Sequence, residues 1–186
     1  MSAALRRATR AVEKSRVVVD TNVLRSMGNE DAQVPISRLA RQALDTIRTG
    51  RIKVVYSPEI AAEWRRMARS RHASQWRAAM TTARLWDRQE DLPHEGLRLA
   101  RNRVTLTRVQ ANAIDEDLHI IHAALNTDRA VLSHDHEVRD ALRIVAVRLA
   151  SLRTTDWVSL LEQGVAAIEW LKAGAPRGQA PIGTDS

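Results

Sequence analysis

Short apolar runs that alternate with helix-like segments restrict most strongly how this 186-residue chain can fold. Three runs stand out, Val17–Val19, Ile52–Tyr56 and Ala130–Ser133, and residues 153–158 are interpreted as a final strand. Short runs rich in β-branched residues are typical of strands that a parallel sheet buries on both faces. Their alternation with amphipathic segments predicts an α/β fold with a mostly parallel central sheet of four or five strands.

Helical periodicity and start signals divide the rest of the chain. Ser57 followed by Pro58 is an N-cap with proline at the first helical position, and it predicts a helix to about residue 70. The other predicted helices cover residues 35–49, 74–90, 115–125, 137–149 and 159–171. We predict one domain over residues 16–172, and the remaining assignments are a basic arm at 1–15, a helical insertion at about 71–112 and a disordered tail at 173–186.

Composition excludes several classes of protein. The chain has no cysteine, which rules out disulfides, Cys-ligated zinc, iron–sulfur clusters and thiol nucleophiles. No apolar run approaches the roughly 20 residues that span a bilayer, and residues 1–16 lack the apolar core of a signal peptide. We therefore expect a cytoplasmic protein with no membrane partner.

The net charge of +7 is unevenly distributed along the chain. Residues 65–108 hold eleven arginines against four acids, whereas residues 109–186 carry a net charge of −4. A basic segment beside an acidic one suggests that one part of the molecule binds phosphates while another part binds a cation such as a metal.

Acids occur where a parallel sheet places its binding site, beyond the carboxyl ends of the strands. Asp20 directly follows the first run, and Asp135 lies just beyond the third. Glu63 and Asp117 lie near the starts of two predicted helices. Converging carboxylates repel one another unless a cation lies among them, and their hard oxygen atoms favour Mg²⁺ or Mn²⁺ over zinc.

Each acid also has an ordinary structural explanation. Asp115, Glu116 and Asp117 all suit a helix N-terminus, and Glu63 is spaced to pair with Arg66. Asp135 is also a suitable turn residue. The sequence leaves open whether four other acids join or replace members of the cluster, namely Glu59, Asp115, Glu137 and Asp140.

The order of these segments resembles the PIN domain family. Val17–Leu24 resembles the family's opening, a hydrophobic strand followed by aspartate, a hydroxyl residue, asparagine and aliphatic residues. Ser57–Glu63 looks like its second site, where a helix presents a glutamate. Asp115–Leu125 resembles its third, and Ala130–Asp135 resembles its fourth, a strand followed by Thr/Ser-x-Asp. All four occur in the family's order and span roughly residues 16–158.

The resemblance implies a three-layer α/β/α fold and a metal-dependent endoribonuclease. It implies an acidic cluster of Asp20, Glu63, Asp117 and Asp135. Within it, Asp20, Asp117 and Asp135 would bind Mg²⁺ or Mn²⁺, and Glu63 would contact the metal through water. Neighbouring polar side chains would orient the carboxylates, namely Thr21, Asn22 and Ser133. Serine at 133 replaces the family's commoner threonine, and the segment before the third site is longer than in compact members.

The basic segment supplies the predicted RNA contacts, since arginine matches phosphate bidentately. They are Arg65, Arg66, Arg69, Arg77, Arg84 and Arg88, the last three interpreted as one face of the helix over residues 74–90. A solvated helix face explains any one of them equally well. Trp76 and Trp86 share the apolar side of that helix and are assigned to core packing. A zinc site is disfavoured because His119, His122, His134 and His136 match no catalytic zinc motif.

Other readings of these motifs remain in competition. Many similar PIN domains are VapC-type toxins, which implies an antitoxin partner and a homodimer, whereas an RNA-processing enzyme would have the same sequence features. A PIN-like module without activity that binds nucleic acid or protein is the alternative from another class. A haloacid-dehalogenase-like phosphatase would need an acid at Asn22, and a two-component receiver would need an acidic pair before the first strand.

Overall fold

A five-stranded, all-parallel sheet forms the centre of the computed structural model, which describes residues 15–28 and 34–184. The strands are β1 (Arg16–Val19), β2 (Lys53–Tyr56), β3 (Trp86–Arg88), β4 (Ala130–Leu132) and β5 (Asp156–Val158). Their spatial order is β3-β2-β1-β4-β5. The predicted parallel α/β sheet is therefore confirmed. Apart from Ser15, the predicted basic arm lies outside the described residues.

Helices connect the strands throughout the described part of the chain. They are α1 (Thr21–Ser26), α2 (Pro35–Thr49), α3 (Pro58–Met67), α4 (Arg71–Thr82), α5 (Glu95–Arg101), α6 (Arg108–Glu116), α7 (Leu118–Leu125), α8 (His136–Ala146), α9 (Ala150–Arg153), α10 (Leu160–Gln163) and α11 (Val165–Lys172). One group packs around α2 and includes α4, α10 and α11, and a second packs around α8 and includes α5, α6 and α9. This arrangement agrees with the expected three-layer α/β/α fold. Across residues 15–28 and 34–184, every helix is too short or too polar to cross a membrane.

The central strand β1 and its neighbour β4 lie in the core. Val17, Val18 and Val19 in β1 have no exposed surface, and β4 is buried along its whole length. Burying one such side chain stabilises the fold by roughly 1.5–3 kcal/mol. This explains why these strands are continuous apolar runs rather than alternating patterns.

The strand order places one crevice in the sheet. From β1 the chain proceeds outward to β2 and β3, and it then crosses back so that β4 pairs with β1 on the other side. In open parallel sheets, ligands bind beyond the carboxyl ends of the strands at the point where the order reverses. Here that point lies between the ends of β1 and β4.

The helix predicted over residues 74–90 is shorter than expected. The helix α4 ends at Thr82, and Arg84 takes a left-handed conformation (φ 56°) that reverses the chain. The Leu85 N–H then bonds to Met80 O, which closes a Schellman-type cap without glycine. Trp86 enters β3 beside β2, so the predicted purely helical insertion at 71–112 in fact contains an edge strand of the sheet.

The third acidic segment also differs from the prediction of a helix that begins at Asp115. The helix begins earlier, at a capping box formed by Thr107 and Gln110, and α6 then runs to Glu116. Asp117 has non-helical backbone angles and separates α6 from α7. Asp117 therefore lies at an interruption between two helices rather than in a first helical turn.

The prediction of a disordered tail at 173–186 is wrong for residues 173–184, while 185–186 lie outside the described residues. Asp156 in β5 accepts hydrogen bonds from the N–H groups of Gly178 and Ala180, both at 2.8 Å. Ile182 is fully buried, and its N–H bonds to Thr155 O. The Gly/Pro-rich composition had suggested disorder, but this carboxylate and one buried isoleucine hold the segment against β5.

Candidate functional site

Two of the predicted acids lie on either side of the crevice between β1 and β4. Asp20 follows β1 and is the N-cap of α1, whereas Asp135 follows β4 and is the N-cap of α8. The Asp20 N–H bonds to Leu132 O, which ties the ends of the two strands together. The parallel topology therefore brings together acids that are more than a hundred residues apart in the chain.

Hydrogen bonds fix the Asp20 carboxylate, which is only 5% exposed. Asp20 Oδ2 accepts from Ser133 Oγ at 2.6 Å and from Asn22 Nδ2 at 2.8 Å. Asp20 Oδ1 accepts from the Asn22 N–H at 3.2 Å. The predicted polar neighbours Asn22 and Ser133 thus contact Asp20 directly.

Asn22 and Ser133 also connect Asp20 to the opposite side of the crevice. Asn22 Oδ1 accepts from the His134 N–H at 3.1 Å, and Ser133 Oγ accepts from the Asp135 N–H at 3.0 Å. The β1 and β4 ends are therefore held in one polar network. Asp135 Oδ1 accepts from the Val138 N–H at 2.9 Å, which orients this carboxylate at the start of α8.

Glu63 approaches the crevice from α3 and is paired with a histidine. Glu63 Oε2 lies 2.8 Å from His119 Nε2, and the two side chains are 23% and 7% exposed. The hydrogen bond from His119 lowers the pKa of Glu63 and outweighs its burial. Burial would lower the pKa of His119, but the Glu63 hydrogen bond and the nearby acidic charges together raise it.

Thr21 interacts with the cluster less directly. Its Oγ1 is buried, and among the described residues it meets no partner at full hydrogen-bond geometry. The hydroxyl nevertheless lies near enough to Glu63 to contribute to the lowered pKa of that carboxyl. Thr21 therefore orients Glu63 less firmly than Asn22 and Ser133 orient Asp20.

Asp117 shows most clearly that the acids lie near one another. Burial and the charges of Asp20 and Asp135 raise its pKa to about 7. Burial likewise raises the pKa of Asp20, and the charges of Glu63 and Asp135 add to that effect while its hydrogen bonds oppose it. The four predicted acids thus form one electrostatically coupled cluster, and their negative charges are only partly offset.

The acids that the sequence left open lie elsewhere or at the edge. Asp115 is ion-paired with Arg101, and Asp140 lies between Arg139 and Arg143 on the exposed side of α8. Glu137 is exposed. Glu59 lines the same cleft as Glu63 and remains a candidate member of the site.

An open cleft of about 400 Å³ lies over Glu63 and Asp117. Glu59, Glu116 and His119 line it, and Arg66 contributes a positive charge to its wall. Arg65 and Arg69 are exposed close to Arg66 in the chain. A cationic side chain at the rim of an acidic cleft is well placed to bind a phosphate.

The other predicted RNA contacts do not form one helix face. Arg77 donates to Trp64 O at 3.2 Å and to Ala68 O at 2.9 Å, so its guanidinium closes the end of α3. Arg84 lies in the turn before β3 and Arg88 lies at the carboxyl end of β3. Because the helix ends at Thr82, the helical alignment predicted for these three arginines is wrong.

The predicted core assignment of the tryptophans agrees with the structure. Trp76 is 6% exposed and its Nε1 donates to Leu44 O at 2.8 Å. The Trp86 ring lies 5.6 Å from that of Trp64 and 5.7 Å from that of Trp76, measured between centroids. These contacts assign both rings to packing rather than to base stacking.

The sequence interpretation missed the role of His119, which it considered only as a zinc ligand. The signal was present, because His119 lies in a helix that is otherwise mostly apolar and a buried polar side chain there needs a partner. Its Nε2 is committed to Glu63 rather than to a metal.

No match places this chain beside known proteins. No protein-family model, no curated protein and no solved structure matches the chain. The PIN resemblance therefore stays a prediction that rests on the quoted motifs.

The donor chemistry of the cluster fits a hard divalent cation, since four carboxylates lie near one another and His119 pairs with one of them, Glu63. The spacing is not that of a formed site. Among the residues described, no three His, Asp or Glu side chains stand close enough together to hold a metal ion. The fit is thus one of charge and ligand type, and the carboxylates would have to draw closer around an ion.

Proposed function

We propose that this protein is a metal-dependent endoribonuclease that hydrolyses RNA phosphodiester bonds with Mg²⁺ or Mn²⁺. The observation that supports this most strongly is the coupled cluster of Asp20, Glu63, Asp117 and Asp135 at the strand-order reversal. Four buried or half-buried carboxylates destabilise a fold unless a cation offsets their charge. The cation that best matches carboxylate oxygens is Mg²⁺ or Mn²⁺.

The acids and Arg66 would have different roles in binding the metal and the RNA. Asp20 Oδ2 already accepts two hydrogen bonds, whereas Oδ1 accepts one and keeps a lone pair for a metal. Asp117 and Asp135 would supply further oxygen ligands. Glu63, held by His119, would contact the metal through water. Arg66 would bind a phosphate of the RNA at the rim of the cleft.

When bound, the metal would supply two effects, a lowered pKa of water and neutralisation of charge on the leaving oxygen. Asn22 and Ser133 would keep Asp20 from turning away from the crevice. The exposed Arg65 and Arg69 would extend the phosphate contacts beyond the cleft, since phosphate contacts dominate affinity for nucleic acids.

The test is cleavage of labelled RNA by the purified full chain. We expect single-stranded or structured RNA to be cut with Mg²⁺ or Mn²⁺ and not with EDTA. Asp20→Asn should reduce cleavage by more than the roughly 100-fold that outer-shell substitutions typically cost. Asp45→Asn is the matched control, because Asp45 lies on the surface of α2, where it pairs with Arg48. Cleavage that persists both in EDTA and in Asp20→Asn, at unchanged thermal unfolding, would refute the mechanism.

A second function has one observation in its favour. Because no three acidic or histidine side chains in the described part form a ready metal site, a PIN-like module that binds nucleic acid or protein without cleaving is the alternative. Such a module would bind RNA equally well with EDTA and with Mn²⁺, and Asp20→Asn would leave that binding unchanged.

The biological setting extends the same proposal. A VapC-like toxin would act in the cytoplasm as a homodimer and would be neutralised by an antitoxin protein. Expression of the wild-type chain in bacteria should then stop growth, and expression of Asp20→Asn should not. Light scattering should give about twice the 20.8 kDa of one chain. Normal growth with an active nuclease would favour RNA processing instead.

A further inference from the structure

We propose that His119 is a positioning residue of this site, which holds Glu63 in the cleft beside Asp117 and near Asp20. The inference rests on the proposed function and adds a member that the sequence motifs do not include. His119 lies on α7, and Glu63 lies on α3, which packs against α7. The contact therefore joins two of the helices that border the cleft.

The direction of this hydrogen bond follows from the chemistry of its partners. Glu63 is 23% exposed, and a glutamate carboxylate in contact with solvent is ionised at neutral pH, so it can only accept hydrogen bonds. His119 Nε2 must therefore carry the hydrogen of the 2.8 Å contact. This leaves Nε2 no lone pair, and it excludes that nitrogen as a metal ligand.

Burial makes this contact specific. The His119 side chain is only 7% exposed, so it cannot exchange Glu63 for water without cost. Arg66 is a second cationic side chain whose charge acts on Glu63, and it lies in the wall of the cleft. With His119 in place, the Glu63 carboxylate stays in the cleft that Asp117 also lines.

A purely structural ion pair would predict different behaviour. Such a pair would hold α3 against α7 and contribute to stability. Mn²⁺ binding would then not depend on which atom of residue 119 donates the hydrogen bond. A positioning role requires a donor at the place of Nε2. Glutamine places its side-chain N–H close to that place, whereas asparagine places its own near Nδ1 and falls short of Glu63.

The experiment measures Mn²⁺ binding by the full chain, without RNA, using calorimetry or the electron paramagnetic resonance signal of free Mn²⁺. We expect His119→Asn to weaken binding by about 10–100-fold, as loss of an outer-shell partner does. His119→Gln should restore most of that affinity. His122→Asn is the control, because His122 lies one turn further along α7 and lines a different pocket, with Pro93 and Leu97.

A second set of measurements separates an effect through Glu63 from a general one. In a Glu63→Gln background, His119→Asn should weaken Mn²⁺ binding no further. At saturating Mn²⁺, His119→Asn should lower kcat for RNA cleavage and leave KM unchanged. Thermal unfolding of all variants shows that they are folded.

Two results would overturn the inference. Equal Mn²⁺ affinity of wild type, His119→Asn and His119→Gln would show that His119 does not position Glu63. An equal loss in both variants would show that the Nε2 donor is not what matters. If the wild type cleaves RNA with Mn²⁺, either result removes this inference alone. If the wild type binds no Mn²⁺, the proposed metal chemistry fails and the inference fails with it.

Discussion

Carboxylates in two parts of this molecule have opposite electrostatic surroundings. Away from the crevice, Asp115 is hydrogen-bonded by Arg101, and this lowers the pKa of Asp115. Asp128 accepts 2.8 Å hydrogen bonds from the Arg16 N–H and from its guanidinium. Burial alone would raise the pKa of Asp128, but Arg16 lowers it below its usual value.

At the crevice the same residue type lacks such a partner. Asp20 and Asp117 are buried among other carboxylates, and burial raises the pKa of both. No arginine forms an ion pair with either of them in the described residues. In the part of the chain that the structure describes, Asp156 also lacks an arginine partner, but it accepts two backbone N–H hydrogen bonds and lies apart from the cluster. Carboxylates that lie near one another without an arginine partner therefore distinguish the candidate site from acids that serve stability.

The largest expected effect comes from Asp117→Asn without divalent cations. The pKa of Asp117 is raised from 3.8 to about 7 by burial and neighbouring charges. Between these values the folded protein binds more protons than the unfolded chain, so this group makes the free energy of unfolding fall as pH rises. Above about pH 7 Asp117→Asn should be more stable than wild type by on the order of a few kcal/mol. Urea denaturation in EDTA measures this.

The control for this prediction is Asp115→Asn, which removes an acid that already has a cationic partner. Added Mn²⁺ should stabilise the wild type at neutral pH and stabilise Asp117→Asn less. If Asp117→Asn and wild type have the same free energy of unfolding at every pH, the two groups of acids do not differ as described.

A half-buried histidine beside the cluster, His134, has the opposite pH dependence. Burial lowers the pKa of His134 from 6.5 to about 4. The unfolded chain binds the extra proton between these values, so this group makes stability rise with pH over that range. In the wild type, the rise in stability due to His134 should partly cancel the fall due to Asp117. His134→Gln should expose a fall in stability with rising pH, and Asp117→Asn should expose a rise. If the free energy of unfolding changes with pH in the same way in both variants, the pKa shifts assigned to Asp117 and His134 are contradicted.

The arginines permit a matched comparison of smaller size. Arg77→Ala removes charge-assisted hydrogen bonds to Trp64 O and Ala68 O and should cost about 1–3 kcal/mol of stability. Arg66→Ala should leave stability unchanged and weaken RNA binding. In an Asp20→Asn background, it should also reduce the slope of log affinity against log salt by roughly one. Fluorescence anisotropy measures the slope, and a larger slope change for Arg77→Ala would reverse the two roles.

The smallest effect is expected from Asp115→Asn. Its ion pair with Arg101 is half exposed, and such pairs contribute about 0–1 kcal/mol. Mn²⁺ binding should be the same as in wild type. A loss of Mn²⁺ affinity would show that Asp115 rather than Asp117 is the third acid of the cluster.

The sequence by itself determined the features that depend on neighbouring residues. The β-branched run ending at Asp20 predicts a buried strand with an acid at its carboxyl end, and Ser57-Pro58 predicts where α3 begins. Parallel topology then implies that Asp20 and Asp135 meet, because both follow strands of one sheet. The sequence and the fold class together thus predicted the location of the crevice.

Only the tertiary structure decided features whose partners lie far along the chain. Arg51 and Arg84 take left-handed conformations although neither is glycine, because the chain turns there from a helix into β2 and β3, respectively. His119 and Glu63 are 56 positions apart, and Asp156 orders a tail that composition alone predicts to be disordered. Local sequence encodes the strands and helices. The hydrogen-bond partners and charge neighbours that give each polar side chain its role come from long-range packing, which periodicity does not report.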